Sequence, residues 1–294
     1  MPLLGETFSL AAAMIWAFAV ILFRRSGETM PPFALNLYRV GVSSVLFLAL
    51  FAVLGEPLFP VRPWRDYALL IASGAIGIVL SDTLFHRSLN IVGAGINAIV
   101  DCLYAPFVVL FAFAMLDETL DAWQLVGMAL VIGAVIITTH AKPPEGTTPQ
   151  QLIVGIFWGM LAMITLALGV VIAKPVLAEA SVLWVTMMRQ IASLAIMAPI
   201  ALAHRDRARI VGVFRPTASW RFSLPGTVLG SFLALLCWLA GMKYTEAGVA
   251  AALNQTATIF ILVLAAVLLK EPFTLRRWIA AGLAIAGIMM VIFG

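Results

Sequence analysis

The chain predicts an all-α membrane protein of ten transmembrane helices, arranged as two inverted five-helix repeats. Three observations lead there. Of 294 residues, 63% are hydrophobic and 11% charged, against roughly a quarter charged in soluble domains, and mean hydropathy is +1.07. Apolar runs of about 20 residues without strict alternation recur along the chain, which is the length a helix needs to cross a bilayer. In lipid only helices or closed barrels satisfy their backbone groups, and these runs choose helices. Finally, the halves share a pattern: Gly77, Ala94, Gly95, Ala98, Ala112, Leu116 and Glu118 recur 153 residues later as Gly230, Ala247, Gly248, Ala251, Ala265, Leu269 and Glu271. An odd number of crossings per copy turns the second copy upside down, and inverted repeats are the signature of alternating-access transport.

In order, the spans fall at 6 to 24, 33 to 54, 67 to 89, 94 to 116, 122 to 140, 152 to 173, 182 to 203, 222 to 242, 247 to 269 and 274 to 293. Residues 1 to 141 form the first repeat and 151 to 294 the second, joined through Lys142-Pro143-Pro144-Glu145-Gly146. The first span has no basic residue ahead of it and no small-residue cleavage site behind it, so it reads as a retained helix and not a signal peptide. Other connectors are short and polar or carry proline, as in Met30-Pro31-Pro32 and Glu56-Pro57 through Asp66, and none could fold as a soluble domain. Cys102 and Cys237 fall inside spans, where a thiol behaves as a small hydrophobe. No disulfide, metal or cofactor is expected.

A net charge of +4 and a pI near 9.4 come from bases beside the membrane, so they bear on orientation and indicate no nucleic-acid partner. Arg62, Arg65, Lys174 and Lys243 lie on the face that holds both termini. Arg24, Arg25, Arg87, Lys142, Arg205, Arg207, Arg209, Arg215, Arg221, Lys270, Arg276 and Arg277 lie on the other. The positive-inside rule then places both termini outside the cytoplasm. Most of that bias comes from residues 204 to 221.

Ten helices as five plus five, the glycine- and alanine-rich fourth and ninth spans, and the acidic loops Leu116-Asp117-Glu118-Thr119 and Leu269-Lys270-Glu271-Pro272 carry a resemblance. The chain resembles the drug/metabolite transporter superfamily, specifically its EamA-type branch, over nearly its whole length. That resemblance implies a multi-pass protein of the cytoplasmic (inner) membrane that exports or exchanges small metabolites. It also implies termini in the cytoplasm, opposite to the charge count.

Ionisable groups inside a span are costly unless they face the bundle interior, pair, or meet water, so each is a functional candidate. Arg39 on span 2, Asp82 and His86 on span 3 and Asp101 on span 4 stand out. Arg39, Asp82 and Asp101 lie six or seven residues from the same membrane face, which at 1.5 Å per residue is roughly 10 Å for each. Helical spacing puts Asn36, Arg39 and Ser43 on one face, Asp82 and His86 on another, and Asn97, Asp101 and Tyr104 on a third. Arg39 would hold a carboxylate or phosphate of a small-molecule substrate in its planar donor fork. Asp82 or Asp101 would take up and release a proton, with His86 as relay. The competing reading is an ion pair of Arg39 with Asp82 or Asp101 that merely locks helices.

In the second half, Arg189 aligns with Arg39 at a shift of 150 and Asn254 with Asp101 at 153. Inversion would carry Arg189 and Asn254 toward the opposite face, leaving an arginine toward each mouth and an acidic cluster toward one. Trp238, opposite Phe85 in the repeat, leads the aromatic candidates for the cavity wall, ahead of Trp16, Trp158, Trp184, Tyr38 and Tyr104.

Glu118 and Glu271 read as caps on the positive end of the helix that follows each. Gly127, Gly133, Gly282 and Gly287 mark close packing of spans 5 and 10, in a monomer or homodimer. No metal-ligand run such as His-Glu-x-x-His and no hydrolase signature argues for an enzyme, and no filter sequence argues for a channel. The remaining alternatives to a coupled carrier are an uncoupled facilitator or exchanger and a structural membrane protein without transport.

Overall fold

The computed structural model describes residues 4–55, 57–116, 121–140, 146–244, 253–272 and 274–293. Every regular element among them is helical. Helix α1 is Leu4–Ser26. Helix α2 is Pro32–Leu54, opened by a proline in its first turn and closed by Gly55 in the left-handed conformation at φ 67°. Helix α3 (Trp64–Gly74) passes through a π-helical segment, Ala75–Leu80, into α4 (Ser81–Asp101). Helices α5 (Tyr104–Leu116) and α6 (Ala122–Thr139) complete the first half.

The second half begins with α7 (Pro149–Glu179) and α8 (Val182–Ala203). A short helix α9 (Arg207–Val211) runs into a single tight turn, Gly212–Phe214. Helix α10 (Trp220–Gly226) leads through a second π-helical segment, Thr227–Ala234, into α11 (Leu235–Tyr244). Helices α12 (Ala257–Leu268) and α13 (Leu275–Phe293) close the chain. Seven of the helical runs are long and apolar enough to cross a membrane, with Tyr104–Leu116 and Leu253–Leu268 as shorter apolar helices. Their outer surfaces carry exposed side chains such as Val53, Ile136, Val267 and Ile279, the apolar face that lipid requires. This is a multi-pass membrane protein.

Local chemistry explains most boundaries. Asp121 and Gln124 form a reciprocal cap on α6, and Thr148 and Gln151 do the same for α7. Where the expected spans differ from the helices, the cause is visible. The sixth was expected at 152 to 173, yet α7 continues through Lys174 and Pro175 to Glu179, so Lys174 belongs to a helix and not to a loop. The fourth was expected as one helix from 94 to 116, but it is interrupted at Cys102 and Leu103. Pro106 has no N–H to offer the Cys102 carbonyl. Cys102 and Leu103 instead donate to Ile99 and Val100 in tight three-residue bonds. Thr256 makes the corresponding bond to Leu253 ahead of α12, so the ninth span is broken at the position 153 residues on.

Helices of the two halves pack on each other: α1 on α11, α2 on α8, α4 on α7 and α6 on α13. Glycine sets the closest of these approaches. The α6–α13 crossing is at Gly127 and Gly287, where any Cβ would meet the other glycine's carbonyl oxygen. Gly133 makes only ordinary contact there and Gly282 faces open space, so only half of the expected glycine set fixes this interface.

Candidate functional site: a polar cavity at the centre of the bundle

A cavity of about 350 Å³ lies among α1, α2, α4, α5, α7, α8, α11, α12 and both π-helical segments. That is room for about ten waters at roughly 30 Å³ each. Arg39, Asp82, Asp101, Tyr104, Arg189, Trp238 and Asn254 all line it, as does Trp16. Seven of the ten residues singled out from sequence therefore share one space. Both arginines line this one cavity.

Arg39 is held through two of its three nitrogens. Its Nη1 lies 3.3 Å from Asp82 Oδ2 and 2.9 Å from His86 Nε2. Its Nε donates to Ser231 Oγ at 3.0 Å, and the guanidinium lies 4.9 Å over the Phe23 ring. An arginine cannot accept, so His86 Nε2 must be the bare nitrogen and the ring proton sits on Nδ1. His86 is wholly buried behind Arg39 and is not among the lining residues. A proton relay would need the very nitrogen that Arg39 occupies.

Arg189 is the opposite case. It lines the cavity beside Gly77, faces Asp82 and Tyr104, and its buried Nε has no hydrogen-bond partner. A guanidinium offers five donors in a planar fork, and here one of them, the Nε–H, has no acceptor. Gly77 and Gly169 give it room, because their backbones nearly touch.

Asp101 stands apart from the arginines. Asn97 Nδ2 donates to its two carboxylate oxygens at 3.2 and 3.3 Å, and among the described residues no cation pairs with it. The interruption at Cys102 places it at the end of α4, facing the cavity. Asn254, Gln255 and Thr258 line the same space from the matching break in the second half.

Two expected solute contacts lie elsewhere. Asn36 is buried outside the cavity and donates to the Ile78 carbonyl at 2.8 Å and to Thr83 Oγ1 at 3.1 Å. It props the first π-helical segment, whose widened turn displaces carbonyls from their usual donors. Asn97 is likewise fully buried and serves Asp101. Among the aromatics, Trp158 stacks under Arg87 at 4.2 Å, Trp184 donates to the Leu58 carbonyl, and Tyr38 is buried against Phe214 and Trp220. None of the three lines the cavity. Sequence reasoning overlooked Gln190, Ser231, Gln255 and Thr258 as lining residues. Gln190 beside Arg189 was the one available signal.

Glu271 also departs from expectation. Its carboxylate accepts from the backbone N–H groups of Ala94 at 2.6 Å and Gly95 at 3.1 Å, so it caps a helix of the other half instead of the one that follows it. Gly93, at φ 80° and ψ 171°, breaks α4 there and leaves those two donors free. Glu118 lies outside the described residues.

A bundle of membrane-crossing helices around a central cavity lined by charged side chains, with broken helices at its wall, is the architecture of a membrane transporter. The model of the EamA-like transporter family matches residues 3–140 and again 153–293. The chain belongs to that family. It is 25% identical to the uncharacterized transporter YetK of Bacillus subtilis (strain 168), over 98% of this chain and 87% of that one. An uncharacterized transporter of Archaeoglobus fulgidus is 23% identical, over 94% of each chain. A solved crystal structure superposes with a TM-score of 0.67, over 97% of this chain and 95% of that one, at 17% identity, a likeness of fold alone. The protein is thus a transporter and not an enzyme.

Proposed function

We propose that the protein exports small metabolites bearing a carboxylate, amino acids or organic acids among them, across the cytoplasmic membrane by alternating access. Its halves, 1–141 and 151–294, act as five-helix repeats threaded in opposite senses. The paired π-helical segments and the matching breaks at Cys102 and Thr256 support that symmetry, since discontinuous helices near the midplane are where inverted-repeat carriers bind solute.

One observation carries the reading: Arg189 lines the cavity wall and its buried Nε has no partner. A carboxylate entering the cavity meets this guanidinium in a low-dielectric site, where such bonds are strongest, and a small shift of the side chain would bring its Nε–H into the same contact. Arg39 serves as the structural counterpart, holding Asp82 and His86 in place. Tyr104, Trp238 and Asn254 contact the body of the solute. Asp101 carries the coupling proton, because a carboxylate held only by Asn97 binds a proton without breaking an ion pair. Asp82 responds more weakly, paired as it is with Arg39.

Flux in proteoliposomes tests this. Carboxylate efflux should follow an imposed pH gradient, and Asp101→Asn should abolish the dependence while uncoupled exchange persists. Unchanged gradient-driven flux in both Asp101→Asn and Asp82→Asn would contradict proton coupling through these groups.

A further inference from the structure

We infer that Glu271 is a releasable latch between the two halves, which seals the cavity toward the face on which Glu271 lies and aims the Asp101 half-helix while it is closed. The latch has three bonds. Glu271 accepts from the Ala94 and Gly95 amides, and Arg277 Nη1 donates to Glu271 Oε2 at 3.1 Å. Only three and seven residues separate Ala94 from Asn97 and Asp101. The position of the capping carboxylate is therefore transmitted within two turns of helix to the cavity wall.

Between latch and cavity the packing is dry. Ala94, Gly95, Val92 and Leu262 are all buried, and the void beside Glu271 and Arg277 is about 10 Å³, no larger than one water needs. Nothing the size of a solute passes that way while the latch holds. Opening requires the Gly93 corner to move, and its left-handed glycine backbone is the joint at which the short half-helix can swing.

The latch is also built to let go. Arg277 is buried, yet its Nε and Nη2 find no acceptor. Buried donors left unpaired raise the cost of the closed state, and water entering on opening satisfies them. A carboxylate on a bare helix start with an under-paired arginine behind it is thus a contact whose loss is partly repaid. The closed and open states are then separated by less than three lost hydrogen bonds would imply.

The inference rests on the alternating-access reading, but its test needs no solute. The test uses the full chain carrying Cys102→Ala, Cys237→Ala and a reporter cysteine from Ile261→Cys on the cavity wall. Labelling by a membrane-impermeant thiol reagent is followed in vesicles of each orientation. From the Glu271 face, Glu271→Gln should speed labelling at least tenfold, with little change from the other face. Amide exchange at Ala94 and Gly95 should rise with it. If Glu271→Gln does not fold, Arg277→Gln should produce the same one-sided gain. A change under twofold from the Glu271 face overturns the latch. Equal gains from both faces with a lowered melting temperature, the mark of a merely structural contact, overturn it as well. Failure of the flux experiments above leaves this result standing, and its own failure leaves the solute site standing.

Discussion

At the scale of single residues, the two arginines of the cavity have divided their labour. Arg39 is held by Asp82, His86 and Ser231, while Arg189 keeps a buried donor unpaired. Removing one partner of a buried pair costs about 3–5 kcal/mol, because the other charge is stranded. Arg39→Met should therefore lower the melting temperature in detergent markedly, by loss of stability in that range. Arg189→Met should leave the melting temperature near that of the parent while solute flux falls at least tenfold. Similar destabilisation in both would show that Arg189 is structural too. Which arginine was engaged could not be read from the sequence. Spacing put Arg39, Asp82 and Asp101 in one layer, and they do share a cavity, but whether Arg39 met Asp82 or Asp101 depended on helix rotation. The neutral lining residues Ser231 and Thr258 gave no signal, since a hydroxyl in a span costs too little to stand out.

Individual helices show where pattern ends and tertiary chemistry begins. Apolar length gave most spans to within a few residues. It did not give the π-helical segments at Ala75–Leu80 and Thr227–Ala234, because a widened turn persists only where a neighbour satisfies its carbonyls. Asn36 does that for the first segment. Asn36→Ala should cost about 1–3 kcal/mol, as for a buried group left unsatisfied, and raise amide exchange across residues 75 to 83. Exchange confined to the parent level would assign the segment to backbone preference alone. The glycines of α13 separate in the same way. Gly287→Leu would drive a side chain into the Gly127 backbone and should destabilise by about 1–3 kcal/mol or prevent folding. Gly282→Ala, facing open space, should be neutral or stabilise by up to about 1 kcal/mol, the helix propensity gained. Thermal melting of the two variants distinguishes a packing glycine from a permissive one.

For the whole molecule, composition alone dictated the solvent, and the 153-residue repeat dictated the internal symmetry to look for. The same shift relates both helix breaks and both π-helical segments, features absent from any span drawn by hydropathy. The symmetry is chemically incomplete: Asp82 and His86 have Leu235 and Leu239 opposite them, and Asp101 has Asn254. In the proposed cycle, the two carboxylates that line the cavity from the first half, Asp82 and Asp101, are the sites for a coupled proton. The most direct measurement is counterflow in proteoliposomes, with a panel of small carboxylates offered to the parent chain, to Arg189→Lys and to Arg189→Gln. The account predicts exchange of at least one carboxylate by the parent, at least tenfold weaker in Arg189→Lys, which keeps the charge but not the fork, and none in Arg189→Gln. Exchange at the parent rate in both variants, or exchange only of solutes without a carboxylate, would contradict it.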